Sequence, residues 1–364
     1  MEQKQRIFTT NLVPGMIIAE DIYNLNGQMI VAKGNIVTDK LIVRLGFYSI
    51  KSVAIKLEEK AIGEVITQHA NATYSQRVKE SRLFKKFNED FDKTTTIFEE
   101  LMGDVAEEGV KEEAVLKMTG YATDLFDSIE NNLEVFDLLH NMRENNDSTY
   151  AHSLNVALIS SVIGKWMEFD KRDMDVLTMS ALFHDIGKVM IPRSILNKKE
   201  KLAEQEYTII KTHTMQGYNI LKNLDLDERV ALAALMHHER CDGSGYPIGL
   251  DGGQINDFAK IVAIADVYDA MTSSRLYRDG TCPFKVISIF EQEGLSLYDP
   301  SYLLTFLRNI VNSYVQNTVL LNTGQRGTVV MINNLALSRP VVQLNRGGYI
   351  DLYRQPEITI EAIL

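Results

Sequence analysis

Apolar residues spaced by three and four dominate the middle of this sequence. Phe84, Phe87 and Phe91, then Ile97 and Leu101, form such a series, and residues 78–146 predict helices whose polar faces are crowded with Glu and Asp. The pattern resumes over residues 151–315. Leu154, Leu158 and Val162 recur by fours, Val176, Met179, Ala181, Leu182 and Phe183 follow, and Val230 to Met236 make a short apolar helix. No proline lies between Pro14 and Pro192. Because proline disfavours a helix interior by about 3 kcal/mol, a gap of that length permits long helices.

The two ends have a different texture. Met16 to Ile18, Met29 to Val31 and Val53 to Ile55, separated by Gly27, Gly34 and Gly46, predict a small β-rich module over residues 1–60, with a short helix from Asp39 to Leu45. Gly327 to Ile332, Val341 to Leu344 and Tyr349 to Leu352 predict short strands within residues 316–364, with turns at Asn322-Thr323-Gly324 and Arg346-Gly347-Gly348. The expected fold is mainly α, with a small β-rich N-terminal module and short C-terminal strands.

Composition narrows the class. With 364 residues, 45% hydrophobic and 24% charged, the chain is that of a soluble globular protein with room for a real core and two or three domains. Two cysteines, Cys241 and Cys282, argue against a disulfide framework and an all-thiolate zinc site. No apolar run approaches membrane-spanning length and no hydrophobic signal region follows Met1, so a cytoplasmic protein with no membrane partner is expected. The net charge of −11 disfavours long nucleic acids. It is unevenly spread: residues 61–150 hold 19 acidic and 9 basic groups, whereas residues 151–364 hold 24 and 21. The early helices carry the acidity, which reads as a solvated face, and the rest of the chain remains open to a small polyanion.

The histidines add the chemistry. His69 and His140 stand alone and are read as structural or exposed, but His152, His184, His213, His237 and His238 fall inside 87 residues, each at or near a predicted helix end. Neutral imidazole and carboxylate suit Fe, Mn, Zn or Co. His184-Asp185 offers a nitrogen and an oxygen from adjacent positions, and a carboxylate can bridge two ions. Two ions about 3.5–4 Å apart can hold a bridging hydroxide and clamp both oxygens of an in-line phosphoryl displacement. Several convergent helices can supply the further ligands such a site needs.

Around these residues the sequence resembles the HD-GYP family, the branch of the HD phosphohydrolases known for hydrolysing cyclic di-GMP. The resemblance is carried by Thr149 to Ser153, His184-Asp185-Ile186-Gly187-Lys188, His213 with Gly217, His237 through Pro247, Ile264 to Ala270, Ser274 to Arg278, and Asp299-Pro300. It implies an all-helical HD-type metallo-phosphohydrolase domain at residues 125–315, after an acidic helical connector at 61–124. Position by position, it implies metal ligation by His152, His184, Asp185, His213, His237, His238 and Asp266, with Asp185 bridging two ions, iron or manganese. It also puts Lys188 on a substrate phosphate and Arg275 and Arg278 on the other. Lys188 lies one helical turn past His184, so spacing alone lets it reach the same cleft. The loop from Gly243 to Pro247 is expected to turn tightly beside the metals, its glycines permitting positive φ. Tyr246 in that loop can stack a guanine or merely pack.

Some members of the family carry a carboxylate four residues before the first histidine, where it helps to hold a third metal. Here that position is Ser148, and Asp147 would point about 100° away on a helix, which favours two ions. Asp269, three residues after Asp266, is placed to orient a histidine N–H. The function implied is that of a bacterial signalling hydrolase, a metal-dependent phosphodiesterase cutting cyclic di-GMP to pGpG and on to GMP. The alternative is a non-enzymatic cyclic dinucleotide sensor using the same pocket. A related cyclic dinucleotide as ligand, a homodimer and a signalling protein partner stay open.

Overall fold

The structure, a computed structural model, describes residues 4–9, 12, 15–23, 29–38, 41, 42, 45, 50, 52–56, 74–129, 133–142, 148–198, 200–273 and 280–364. Arg275, Arg278, Asp147, His69, Gly27, Gly46 and part of the expected helix from Asp39 to Leu45 lie outside the described residues. Two compact units are present: Met1–Arg77 with Tyr314–Ile332 and Pro340–Leu364, and Val78–Ser313 with Asn333–Arg339.

The first unit is β-rich, as the texture of both chain ends predicts. Strands β1 (Lys4–Phe8), β2 (Ile22–Tyr23), β3 (Met29–Val31) and β4 (Ser52–Lys56) pair antiparallel as β1–β4 and β2–β3, around a core that includes Ile18, Val37, Leu45, Val53 and Ile55. Strands β5 (Thr318–Leu321), β6 (Arg326–Met331), β7 (Val341–Leu344), β8 (Tyr349–Asp351) and β9 (Ile360–Ile363) form an antiparallel sheet of order β8-β7-β6-β5-β9. Gly347 and Gly348 take φ of 91° and 88° in the β7–β8 hairpin, a backbone region that costs glycine little.

The second unit is helical and runs through α1 (Arg82–Glu108), α2 (Glu112–Asp127), α3 (Glu134–Met142), α4 (Thr149–Trp166), α5 (Lys171–Leu182), α6 (Glu204–Lys211), α7 (His213–Leu221), α8 (Glu228–Met236), α9 (Asp257–Thr272), α10 (Pro283–Ile289) and α11 (Pro300–Ile310). On α1 the buried stripe is Phe87, Phe91, Phe98, Met102 and Val105. Ile97, expected on that face, is exposed and Leu101 is half-buried, because Phe98 lies two full turns past Phe91 and continues its stripe. Glu89, Asp92, Glu99 and Glu100 are exposed on α1, which makes the acidity of this helix a solvated face.

Helices α4 and α9 are buried on nearly every side and pack against each other at the centre, as helices apolar all round must. Caps fix where the helices begin. The Ser148 hydroxyl accepts the Ala151 N–H at 3.0 Å at the start of α4, and Asp170, Asp227, Asn256 and Asp299 cap α5, α8, α9 and α11 in the same way.

After α5 a 3-10 turn (Ile186–Met190) lies directly on α7. A Cβ on Gly187 would sit 1.9 Å from the His213 carbonyl oxygen and 2.5 Å from the Gly217 nitrogen, so only glycine allows this approach. It brings residues 184–188 against His213. Gly187→Ala is therefore expected to cost about 1–3 kcal/mol through forced displacement, read as a lower urea midpoint. Gly120→Ala on α2, where a Cβ meets nothing within 4 Å, is expected to be neutral or stabilising in the same assay.

Candidate metal centre

Four of the five clustered histidines stand at helix ends. His152 is in the first turn of α4, His184 follows α5, His213 opens α7, and His237 ends α8 with His238 next to it. The last turn of a helix leaves carbonyl oxygens with accepting capacity, and three of these rings use it. His184 Nδ1 donates to the Ala181 carbonyl at 2.7 Å, His213 Nδ1 to Ile210 at 2.6 Å, and His237 Nδ1 to Ala233 at 3.1 Å. With the proton on Nδ1, each Nε2 is a bare lone pair.

These lone pairs converge on Asp185. His213 Nε2 lies 3.3 Å from Asp185 Oδ1 and His184 Nε2 3.3 Å from Oδ2, while His213 and His237 face each other Nε2 to Nε2 at 3.4 Å. Acceptor against acceptor is repulsive unless something positive lies among them. Among the described residues, His184 Nε2 and Asp185 Oδ1 are buried with no hydrogen-bond partner at all. A buried cluster of unpaired acceptors with one ionised carboxylate is the environment a divalent cation satisfies, and the donor set therefore fits a metal. Two groups of ligand atoms lie within 4.8 Å of one another: Asp185, His213, His237 and His238 in one, His152, His184 and Asp185 in the other.

The charge states agree. Burial, then the neighbouring His238 and His184, holds His237 well below the usual imidazole range; burial also lowers His213, and burial with His213 pushes His238 down to about 3. Burial opposes ionisation of Asp185, but its neighbours, the Lys188 ammonium first among them, hold its carboxyl well below the usual range. Neutral rings around a carboxylate are the forms that bind metal.

His152 differs. Its Nδ1 meets Asp269 Oδ2 at 2.7 Å and its Nε2 meets Asp266 Oδ1 at 3.1 Å. Burial disfavours its charge, yet hydrogen bonds to the two carboxylates push its pKa up to about 9. Asp269 is itself held by Asn155 Nδ2 at 3.1 Å and Ser273 Oγ at 3.0 Å, so it orients His152 as its position three residues past Asp266 suggests. Ser148 caps α4 with its hydroxyl, and its place four residues before His152 is taken by that role.

Lys188 and Tyr246 border this cluster. Lys188 bonds Asp185 Oδ2 and is a quarter exposed. Tyr246 stacks on the His238 ring at 4.7 Å and 30°, with burial raising its hydroxyl pKa. Gly243 has φ of 80°, as a turn glycine does, but Gly245 serves another purpose: a Cβ there would lie 2.4 Å from the Arg240 nitrogen. Glu239 has no role in the sequence reading. It is buried, and its carboxylate accepts N–H groups from Ile248 at 2.7 Å, Gly249 at 3.0 Å and Leu250 at 3.0 Å, which anchors the loop beyond Tyr246. Its one signal was its place between His238 and the glycine-rich loop. Cys241 is half-buried, with burial raising its thiol pKa, and it belongs to neither group of ligand atoms.

Residues 137–302 match the HD domain family. A cyclic di-GMP phosphodiesterase of Pseudomonas aeruginosa is 32% identical over 233 residues, 62% of this chain and 56% of that protein. A 3'3'-cGAMP-specific phosphodiesterase of Vibrio cholerae is 34% identical over 152 residues, 42% of this chain and 33% of that protein. The chain thus spans between a third and just over half the length of these relatives. Among solved structures, the HDG"Y"P protein Bd1817 of Bdellovibrio bacteriovorus has the same fold, with a TM-score of 0.51 at 16% identity over 84% of this chain and 98% of that one. No helix among the described residues is long and apolar enough to cross a membrane.

The two kinds of histidine make metal-free protein respond to pH in opposite directions. His213, His237 and His238, depressed in the folded state, contribute stability above about 6.5 that is lost as pH falls. His152, raised to about 9, contributes stability that is full below about 6.5 and lost as pH climbs through 9. Urea unfolding of chelator-treated protein is expected to show a maximum near pH ~6.5, and Asp269→Asn is expected to flatten the alkaline side alone.

Proposed function

We propose that residues 137–302, which match the HD domain family, form a domain of the HD-GYP type, and that the chain is a cytoplasmic metal-dependent phosphodiesterase for a cyclic dinucleotide, cyclic di-GMP foremost. Residues 125–315 are its catalytic domain on this reading. The observation that carries it is the convergence of bare Nε2 atoms from His184, His213 and His237 on the Asp185 carboxylate. The assigned ligands are His152, His184, Asp185, His213, His237, His238 and Asp266, holding two ions of iron or manganese. Asp185 is the bridging ligand, a role supported by its two oxygens facing different histidines. When bound, such ions supply acidified water and screen the charge of the phosphate under attack.

The chain's own residues do the rest. Lys188, held by Asp185 at the lip of the cluster, presents an ammonium to a substrate phosphate and to charge developing on the leaving oxygen. Tyr246 covers His238 with its ring, and the Lys211 ammonium lies 5.7 Å from the centroid of that ring. Its hydroxyl stays protonated and can donate. Arg275 and Arg278 are assigned to the second phosphate. Cleavage of one diester gives pGpG, and a second cut gives GMP.

Anaerobic purification, metal analysis and chromatography of cyclic di-GMP test this. Two ions per chain and conversion to pGpG are expected. His184→Ala and Asp185→Ala are expected to lose metal and turnover together, whereas Lys188→Ala should keep its metal and lose ~10²-fold or more in kcat. Two bound ions with no hydrolysis under either metal contradict the proposal. Tight binding of the dinucleotide without turnover would turn the reading into that of a sensor.

A further inference from the structure

One of the clustered histidines is oriented differently from the rest. His184, His213 and His237 give their Nδ1 protons to backbone carbonyls, and His152 is held by Asp269. The His238 ring has no hydrogen-bond partner among the described residues, and its Nδ1 stands 3.9 Å from Asp266 Oδ2, beyond hydrogen-bond reach. His238 is also the most open of its group of ligand residues. Its side chain is 21% exposed, against 3% or less for Asp185, His213 and His237. Two of the rings that touch it, His213 and His237, are assigned ligands themselves. The third is Tyr246, stacked at 4.7 Å with the two planes 30° apart.

Tyr246 in turn meets a cation carried by α6. Lys211, in the last turn of that helix, places its ammonium 5.7 Å from the Tyr246 centroid and 5.2 Å from that of Tyr207. Both distances lie within the range of a cation–π attraction. Tyr207 and Lys211 are four residues apart and share a face of α6, so the Tyr207 ring restricts a long and otherwise mobile side chain. This contact gives a purpose to a tyrosine ring that is left largely in solvent.

We propose that Lys211, shared between Tyr207 and Tyr246, is a positioning residue of the metal centre: it holds Tyr246 against His238 and so sets the direction in which that ring presents itself as a ligand. The proposal rests on the reading of His238 as a metal ligand. The faces of a tyrosine ring carry its negative charge density. They attract an ammonium, and they suit an imidazole made electron-poor by ligation. Stacking thus does for His238 what the carbonyls of Ala181, Ile210 and Ala233 do for the other three rings. Lys222 makes the same kind of contact with Tyr218, a ring that stacks on no assigned ligand among the described residues, and provides the control.

The test titrates the full chelator-treated chain with Zn(II) in competition with a chromophoric chelator. Lys211→Met keeps most of the side chain and loses its charge; it is expected to weaken Zn(II) binding about 3-fold with Tm unchanged. Tyr246→Leu, which removes the ring itself, is expected to weaken it ~10-fold or more. Lys211→Arg is expected to restore the parent's affinity, because a guanidinium also stacks on aromatic faces, and Lys222→Met to leave it unchanged. Parent affinity in Lys211→Met or in Tyr246→Leu overturns the proposal, as does an equal loss in Lys222→Met. Should Lys211→Met fail to fold, Lys211→Gln takes its place with the same outcomes. In metal-free chain the His238 ring protons are expected to lie upfield under the Tyr246 ring current. They should move downfield in Lys211→Met and stay in place in Lys211→Arg; ring protons unmoved in Lys211→Met overturn the proposal. Should the parent take up no Zn(II), the metal reading fails separately, and these proton shifts alone decide whether Lys211 positions the ring.

Discussion

The site depends on one hydrogen-bond constraint repeated three times. A histidine at a helix end gives its Nδ1 proton to a carbonyl in the last turn of the helix before it or its own, at Ala181, Ile210 and Ala233. The bond satisfies a carbonyl, fixes the ring's orientation and leaves Nε2 bare. Because the helix ends meet around Asp185, satisfying backbone groups and assembling a ligand set become the same event. The acceptor cluster is then incomplete without a cation, which ties the fold to its chemistry.

The surroundings serve that cluster. Caps on α4, α5 and α8 set where the helices carrying or preceding His152, His184 and His237 begin, and the cap on α9 does the same for Asp266 and Asp269. The glycine contact between the 3-10 turn and α7 sets how closely Asp185 can approach His213. Asp269 holds His152, and Glu239 ties back the loop that carries Tyr246. Each contact acts on orientation, and a metal site with loose ligands would be a weaker one.

Much of this was legible in the sequence. The proline-free stretch and the three-and-four spacing pointed to the helices, and short apolar, β-branched runs between glycines pointed to the strands at both ends. Histidines at predicted helix ends pointed to a centre, because imidazole beside carboxylate is costly to bury without a purpose. Other features depend on pairs far apart in the chain. Phe98, not Ile97, continues the stripe of Phe91 two turns on, but its packing against Tyr150 and Phe183 joins residues far apart in the chain. Glu239 has meaning only once residues 248–250 fold back onto it.

The most direct test of the central constraint is a long-range nitrogen–proton correlation NMR spectrum of the histidine rings in metal-free protein near neutral pH. His184, His213 and His237 are expected to carry their proton on Nδ1 with Nε2 bare, and Zn(II) as a diamagnetic probe is expected to shift the Nε2 resonances. Rings protonated on Nε2, or doubly protonated imidazolium at these three positions, would contradict that constraint.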